Sequence, residues 1–142
     1  MEEREKPVTT EEEGRFAARF QRLVDSSPAI IWAYDEINGR MLYLNDAVRE
    51  TLGHDVHKFF DRPTLWFELI HLDDRPLVSS LNAAMREEKR VITYHVRFRA
   101  ADGRYALLSA AVKPILDQRG RVVRTEGAAI LVVGEEPKKE DK

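Results

Sequence analysis

The clearest pattern in the chain lies in VITYHVRFRA, which alternates strictly. Ile92, Tyr94, Val96 and Phe98 fall on one side of an extended chain, and Thr93, His95, Arg97 and Arg99 on the other. Period two marks a strand with one buried face. Asp102-Gly103 follows, and Asp-Gly accepts the positive φ that a tight hairpin needs. RYALLSAAVKPI is a second strand, DQRG a loop and RVVRTEGAAILVV a third strand. Successive hairpins predict antiparallel pairing.

Another hairpin is predicted upstream, where AIIWAYDE and RMLYLN flank Asn38-Gly39. Between the two β regions the period becomes helical. Asn45 reads as the N-cap of DAVRETL and Gly53 as its stop. Pro63-Thr64 opens a short helix, TLWFELI. Asp73 or Asp74 caps a longer one, with Leu77, Val78, Leu81, Ala84 and Met85 in a single stripe. Near the start, Thr10 and Glu13 have the capping-box spacing. Phe16, Phe20, Leu23 and Val24 share one face of the helix they open, and Asp25 to Pro28 ends it. Helix, two strands, short helices and three strands predict an α+β fold, with helices on one face of an antiparallel sheet.

A chain of 142 residues fits one domain. Residues 1–9 and 135–142 are charged and aperiodic, and are expected to be disordered. That leaves a flanking helix over 10–27 and a folded domain over 28–134. No apolar run reaches the ~20 residues that span a bilayer, and MEEREKPVTTEEE is no secretory signal, so a cytoplasmic site and no membrane partner are expected. A net charge of −2 gives no pull toward nucleic acid. Arg97, Arg99, Arg104, Arg121 and Arg124, interspersed with acids, read as solvated strand edges. The chain has no cysteine, which removes disulfides, thiolate metal sites and cysteine nucleophiles.

Five segments in order carry a resemblance. They are Asn45 before the first short helix, Gly53 at its end, His71-Leu72-Asp73-Asp74 before the long helix, Arg97 to Gly103, and Pro114 to Asp117. Together they resemble the PAS family, in its fold-3 branch with the PAC motif, over about residues 20–133. Leu72 stands where the family usually has proline. Leu131, Val132 and Val133 stand where it often has the Asp-Ile-Thr that joins sensor to output. The resemblance implies a PAS-like five-stranded antiparallel sheet with short helices on one face and an N-terminal flanking helix. It implies a sensory or regulatory role in signal transduction. A kinase or cyclase output domain in a longer parent protein is an expected partner, and both a stand-alone chain and a fragment stay open.

The resemblance also implies a small pocket between sheet and long helix. Alternation assigns its inward residues as Trp32, Tyr34, Tyr94, Val96, Phe98, Leu108, Ala110, Val112 and Ala129, faced by Leu81 and Met85. Such a pocket takes a mostly apolar or aromatic ligand with one or two polar atoms. The alternative is a filled core with no ligand, in a module used only for association. None of these positions is a carboxylate, lysine or histidine, so acid–base catalysis has no agent and the chain reads as a non-enzyme. Ketosteroid-isomerase-like enzymes place their helices first and need a pocket carboxylate, which disagrees with this chain.

Of the remaining chemistry, His71-x-Asp73-Asp74 reads as a helix cap rather than a metal site. No cofactor is assigned. Haem needs an axial ligand facing a cavity, and His95 lies on the polar face. Cysteine-dependent photochemistry of the LOV and photoactive yellow protein kinds is ruled out, while non-covalent flavin stays open. The opposite sheet face carries Leu107, Ser109, Ala111, Ala128, Ile130 and Val132. A one-sided sheet normally keeps that face polar. A cover is therefore expected from the helix bearing Phe16, Phe20, Leu23 and Val24, on its own sheet or on that of a partner in a homodimer.

Overall fold

The computed structural model describes residues 10–132. The alternating segments form β1 (Ile30–Asp35), β2 (Arg40–Leu44), β3 (Ile92–Arg99), β4 (Tyr105–Leu116) and β5 (Val122–Leu131). They make one antiparallel sheet in the order β2-β1-β5-β4-β3. The last strand is central, with Ala129 opposite Ile30 on one side and Ala110 on the other. Gly39, Gly103 and Gly120 hold positive φ at the three hairpin turns, the geometry that favours glycine.

Helix α1 (Thr10–Asp25) precedes the sheet. The connection from β2 to β3 holds α2 (Ala47–Leu52), α3 (Val56–Asp61), α4 (Leu65–Glu68), a 3-10 turn (Leu72–Asp74) and α5 (Arg75–Glu88). These cover the inner face. Val48, Leu52, Phe59, Ile70, Val78 and Met85 are buried with Ile30, Val96, Phe98 and Leu108. Each such side chain contributes roughly 1.5–3 kcal/mol by leaving water. Strand β3 is an edge, but the chain before the 3-10 turn pairs with it. His71 N donates to Arg97 O at 2.9 Å, and Arg99 N to Leu69 O at 2.8 Å. This occupies backbone groups that an open edge would present to other chains.

Several polar residues do something other than their sequence position suggests. Asn45 is not the cap of α2; Asp46 holds that position. Asn45 is buried, accepts from Ile31 N at 2.9 Å, and donates to Val24 O and Ala29 O, both at 2.9 Å. It ties the end of α1 to the first hairpin. Asp74 precedes α5 but makes no side-chain cap bond. It instead accepts from Arg97 N, Nε and Nη2 at 2.9, 3.0 and 2.8 Å. Burial opposes its ionisation, but these Arg97 donors outweigh that and lower its pKa. Leu77 leaves the helix stripe and is half exposed, whereas Val78 and Met85 are buried. Helix α3 carried no clear periodicity; Asp55 caps it by accepting from His57 N at 2.9 Å.

The outer face keeps apolar groups in the open. Ile130 is 53% exposed, Ala111 is exposed, and Leu107 and Val132 are half-buried. Leu23 of α1 is 65% exposed and Val24 is half-buried, so Leu23 does not cover the sheet of its own chain. The side chains of Glu13, Phe16 and Phe20, together with Val133 and both charged ends, lie outside the described residues.

Candidate functional site

A cavity of about 330 Å³ opens between the sheet and the helices. Trp32, Tyr34 and Glu36 reach it from β1 and the residue after, Thr125 from β5, Val112 from β4 and Tyr94 from β3. Met41 joins them from β2. Pro63, Thr64, Trp66 and Phe67 close it from around α4, and Asn82, Met85 and Arg86 from α5.

The deep wall is aromatic. The Trp66 ring lies 4.9 Å from Trp32 and 4.6 Å from Phe98, tilted by 44° in both pairs, within the range where such rings attract. Trp32 lies against the backbone of β5 at Gly127. A Cβ at that glycine would sit 2.2 Å from Trp32 Cζ2, so only glycine lets the indole lie there. The Trp66 Nε1–H is buried without an acceptor in hydrogen-bond geometry. Burial raises the Tyr94 pKa, and the nearby Trp66 N–H acts in the opposite direction. The two groups are thus neighbours, although their contact falls short of a proper hydrogen bond.

The other wall is polar. Glu36 is only 14% exposed at its side chain, against 50% for Arg86. Glu36 Oε1 accepts from Arg86 Nε and Nη2, each at 3.3 Å, and Oε2 accepts from Thr125 Oγ1 at 3.2 Å. Tyr34 beside them has a raised pKa, first through burial and then through the Glu36 charge, with Arg86 opposing.

Of the residues assigned from alternation, Trp32, Tyr34, Met85, Tyr94 and Val112 line this cavity. Val96, Phe98, Leu108, Ala110 and Ala129 do not; they lie in the closed core. Leu81 packs against that core from α5. Part of the cause is visible in the rings: the Trp66 indole packs on Phe98 at 4.6 Å and covers it. The expectation that no inward carboxylate exists is also corrected. Glu36 continues the period of Trp32 and Tyr34 one step past the strand, since its N–H still bonds Val123 O at 3.0 Å. The same period marks Thr125 with Gly127 and Ala129. Asn82 and Arg86 lie four apart on α5, a polar line beside the apolar stripe. Trp66 gave no such signal, because α4 has four residues and shows no periodicity.

No histidine lines the cavity. His71 Nδ1 accepts from Asp73 N at 3.1 Å, and its ring lies 4.8 Å from Tyr105. His95 is exposed on the outer face. His54 Nε2 bonds Arg99 O at 2.9 Å. Among the described residues, no group of three or more histidines and carboxylates is placed to hold a metal ion. None of their helices is long and apolar enough to cross a membrane.

A five-stranded antiparallel sheet with short helices over one face and a cavity between them defines an α+β domain. The sequence profile of the PAS fold matches residues 41–129, and the chain belongs to the PAS family. Solved structures agree in fold. One is the domain of a putative light and redox sensing histidine kinase from Haloarcula marismortui, with 22% identity and a TM-score of 0.66 over 82% of this chain and 99% of that one. A sensory box histidine kinase/response regulator from Burkholderia thailandensis shares 26% identity, with a TM-score of 0.65 over 80% and 84%. The N-terminal domain of a diguanylate cyclase with PAS/PAC sensor from Marinobacter aquaeolei shares 19%, with a TM-score of 0.67 over 72% and 94%. No curated protein matches the chain.

Proposed function

We propose that this chain is the input domain of a signalling protein and takes a small, mostly aromatic molecule into the cavity. The observation that carries this reading is a space of about 330 Å³ walled by Trp32, Tyr34, Trp66, Phe67 and Tyr94. Pockets near this size suit small ligands, with apolar walls supplying affinity and a few polar groups fixing orientation. Its output would be a kinase or cyclase in the same longer polypeptide, as in the histidine kinase and cyclase whose domains share the fold. The domain itself would do no chemistry. Glu36 is held by Arg86 and by the Thr125 hydroxyl, and no histidine or lysine lines the cavity beside them. Thermal-shift screening against small aromatic compounds tests the ligand. Val112→Trp should keep the circular dichroism spectrum and lose the stabilisation; undiminished stabilisation rejects this cavity as the site.

A second reading is favoured by the outer sheet face. Ile130 on that face and Leu23 of α1 expose large apolar side chains, and such groups gain by being covered. The proposed cover is a second copy of the chain, joined through α1 and the face bearing Leu107, Ala111, Ile130 and Val132. Light scattering at tens of micromolar should give a dimer, and Ile130→Glu a monomer. A wild-type monomer at that concentration rejects it.

A further inference from the structure

The two walls of the cavity differ in hydrogen-bonding sense, and that difference restricts what fits. On the β3 side, an indole N–H can only donate, and a phenol can both donate and accept. Trp66 N–H has the Tyr94 hydroxyl as its neighbour. The Tyr94 hydroxyl has its own proton to give, and it can accept from the indole. This side therefore offers a donor.

On the β1 side stands the Glu36 carboxylate. Its three contacts are 3.2–3.3 Å long, beyond the roughly 2.7–2.9 Å of strong charge-assisted bonds. A carboxylate has about four acceptor positions, so Glu36 keeps capacity for another donor. Arg86 balances its charge, which suits a neutral group better than a cation. Strands β1 and β3 are separated by β5 and β4, three strand spacings or roughly 14 Å between backbones.

Resting on the cavity reading above, we propose that the ligand is a neutral, planar two-ring heteroaromatic. Its acceptor at one end takes the Tyr94 hydroxyl proton, and its N–H or O–H at the other end donates to Glu36.

Four probes of similar size separate the terms in calorimetric titrations of the whole chain. They are 4-quinolone (acceptor and donor), quinoline (acceptor), indole (donor) and naphthalene (neither). A net hydrogen bond is worth about five- to tenfold in affinity. 4-Quinolone should bind tightest, quinoline and indole about five- to tenfold weaker, and naphthalene weakest. Tyr94→Phe should erase the advantage of 4-quinolone over indole but keep its advantage over quinoline. Glu36→Ala should do the reverse. If naphthalene binds as tightly as 4-quinolone, the polar assignment falls while the cavity reading stands. If none of the four binds, both fall.

Discussion

One sheet face is closed at one end and hollow at the other. At the closed end, Val96, Phe98, Leu108, Ala110 and Ala129 are buried in the core, with Trp66 packed on Phe98. A few residues along the same strands, Tyr34, Glu36, Val112 and Thr125 border a cavity. Both ends obey the same alternation, so the pleat does not make the difference. The side chains do. Apolar groups close on one another until density is near crystalline. Glu36, Thr125 and Arg86 have to keep their hydrogen bonds, and burying them unpaired costs more than leaving space. The pocket is where polar residues interrupt the packing.

Two substitutions probe the closed end and its border. Phe98→Ala removes a fully buried ring that touches Trp66 and should cost about 3–5 kcal/mol in urea unfolding, as large-to-small core changes do. A cost under about 1 kcal/mol would mean that this end is not tightly packed. Gly127→Ala puts a methyl into the Trp32 indole. Overpacking of that kind costs roughly 1–3 kcal/mol, and Trp32 has to move toward the cavity. The variant should therefore lose both stability and aromatic binding. Unchanged tryptophan fluorescence would show that Trp32 had not moved.

Much of the fold was legible because its signals are local. Asn38-Gly39, Asp102-Gly103 and the alternation through Phe98 each fix a hairpin or a face without knowledge of the rest. The site was legible only in part. Alternation says which side chains point inward, not which of them another layer will cover. Alternation therefore assigns Ala110 to the pocket, although it lies in the buried core, while Val112, one step of the same period away, is at the wall. Glu36 could have been read by extending the period of Trp32 and Tyr34 by one more step. Asn45 and Asp74 stand where caps belong, yet bond across the fold, because a tertiary partner can outcompete a local one. Trp66 was out of reach, since a four-residue helix has no period.

Thr125→Val tests the polar end more gently. It leaves the volume nearly unchanged and removes one donor to Glu36. The loss should be about 1 kcal/mol, the usual worth of one hydrogen bond, and a matching double-mutant cycle with Glu36→Ala should return the same coupling. Zero coupling would show that Glu36 is held by Arg86 alone.

The smallest effect concerns acid, and it should separate the two ends without any loss of the whole fold. Asp35, next to Glu36, closes the turn under the hollow end. Its carboxylate accepts from Ile37 N at 2.9 Å, Asn38 N at 3.1 Å, Asn38 Nδ2 at 2.8 Å and Arg40 Nε at 3.3 Å. The Asn38 side chain leads in lowering its pKa to about 2 from the ordinary 3.8. A depressed carboxylate favours the folded turn fully above its unfolded pKa, and that contribution disappears as pH falls through the folded value. The window is thus about pH 4 to pH 2. Within it, hydrogen exchange corrected for intrinsic rate should show Ile37, Asn38 and Gly39 losing protection. The β3–β4 ladder around Val96, held by apolar packing, should keep its own. Asp35→Asn cannot titrate, so its turn should be weaker at neutral pH and indifferent to this window. If the variant loses turn protection across the same range as the wild type, acid acts somewhere other than Asp35, and the hollow end owes less to its charges than the geometry implies.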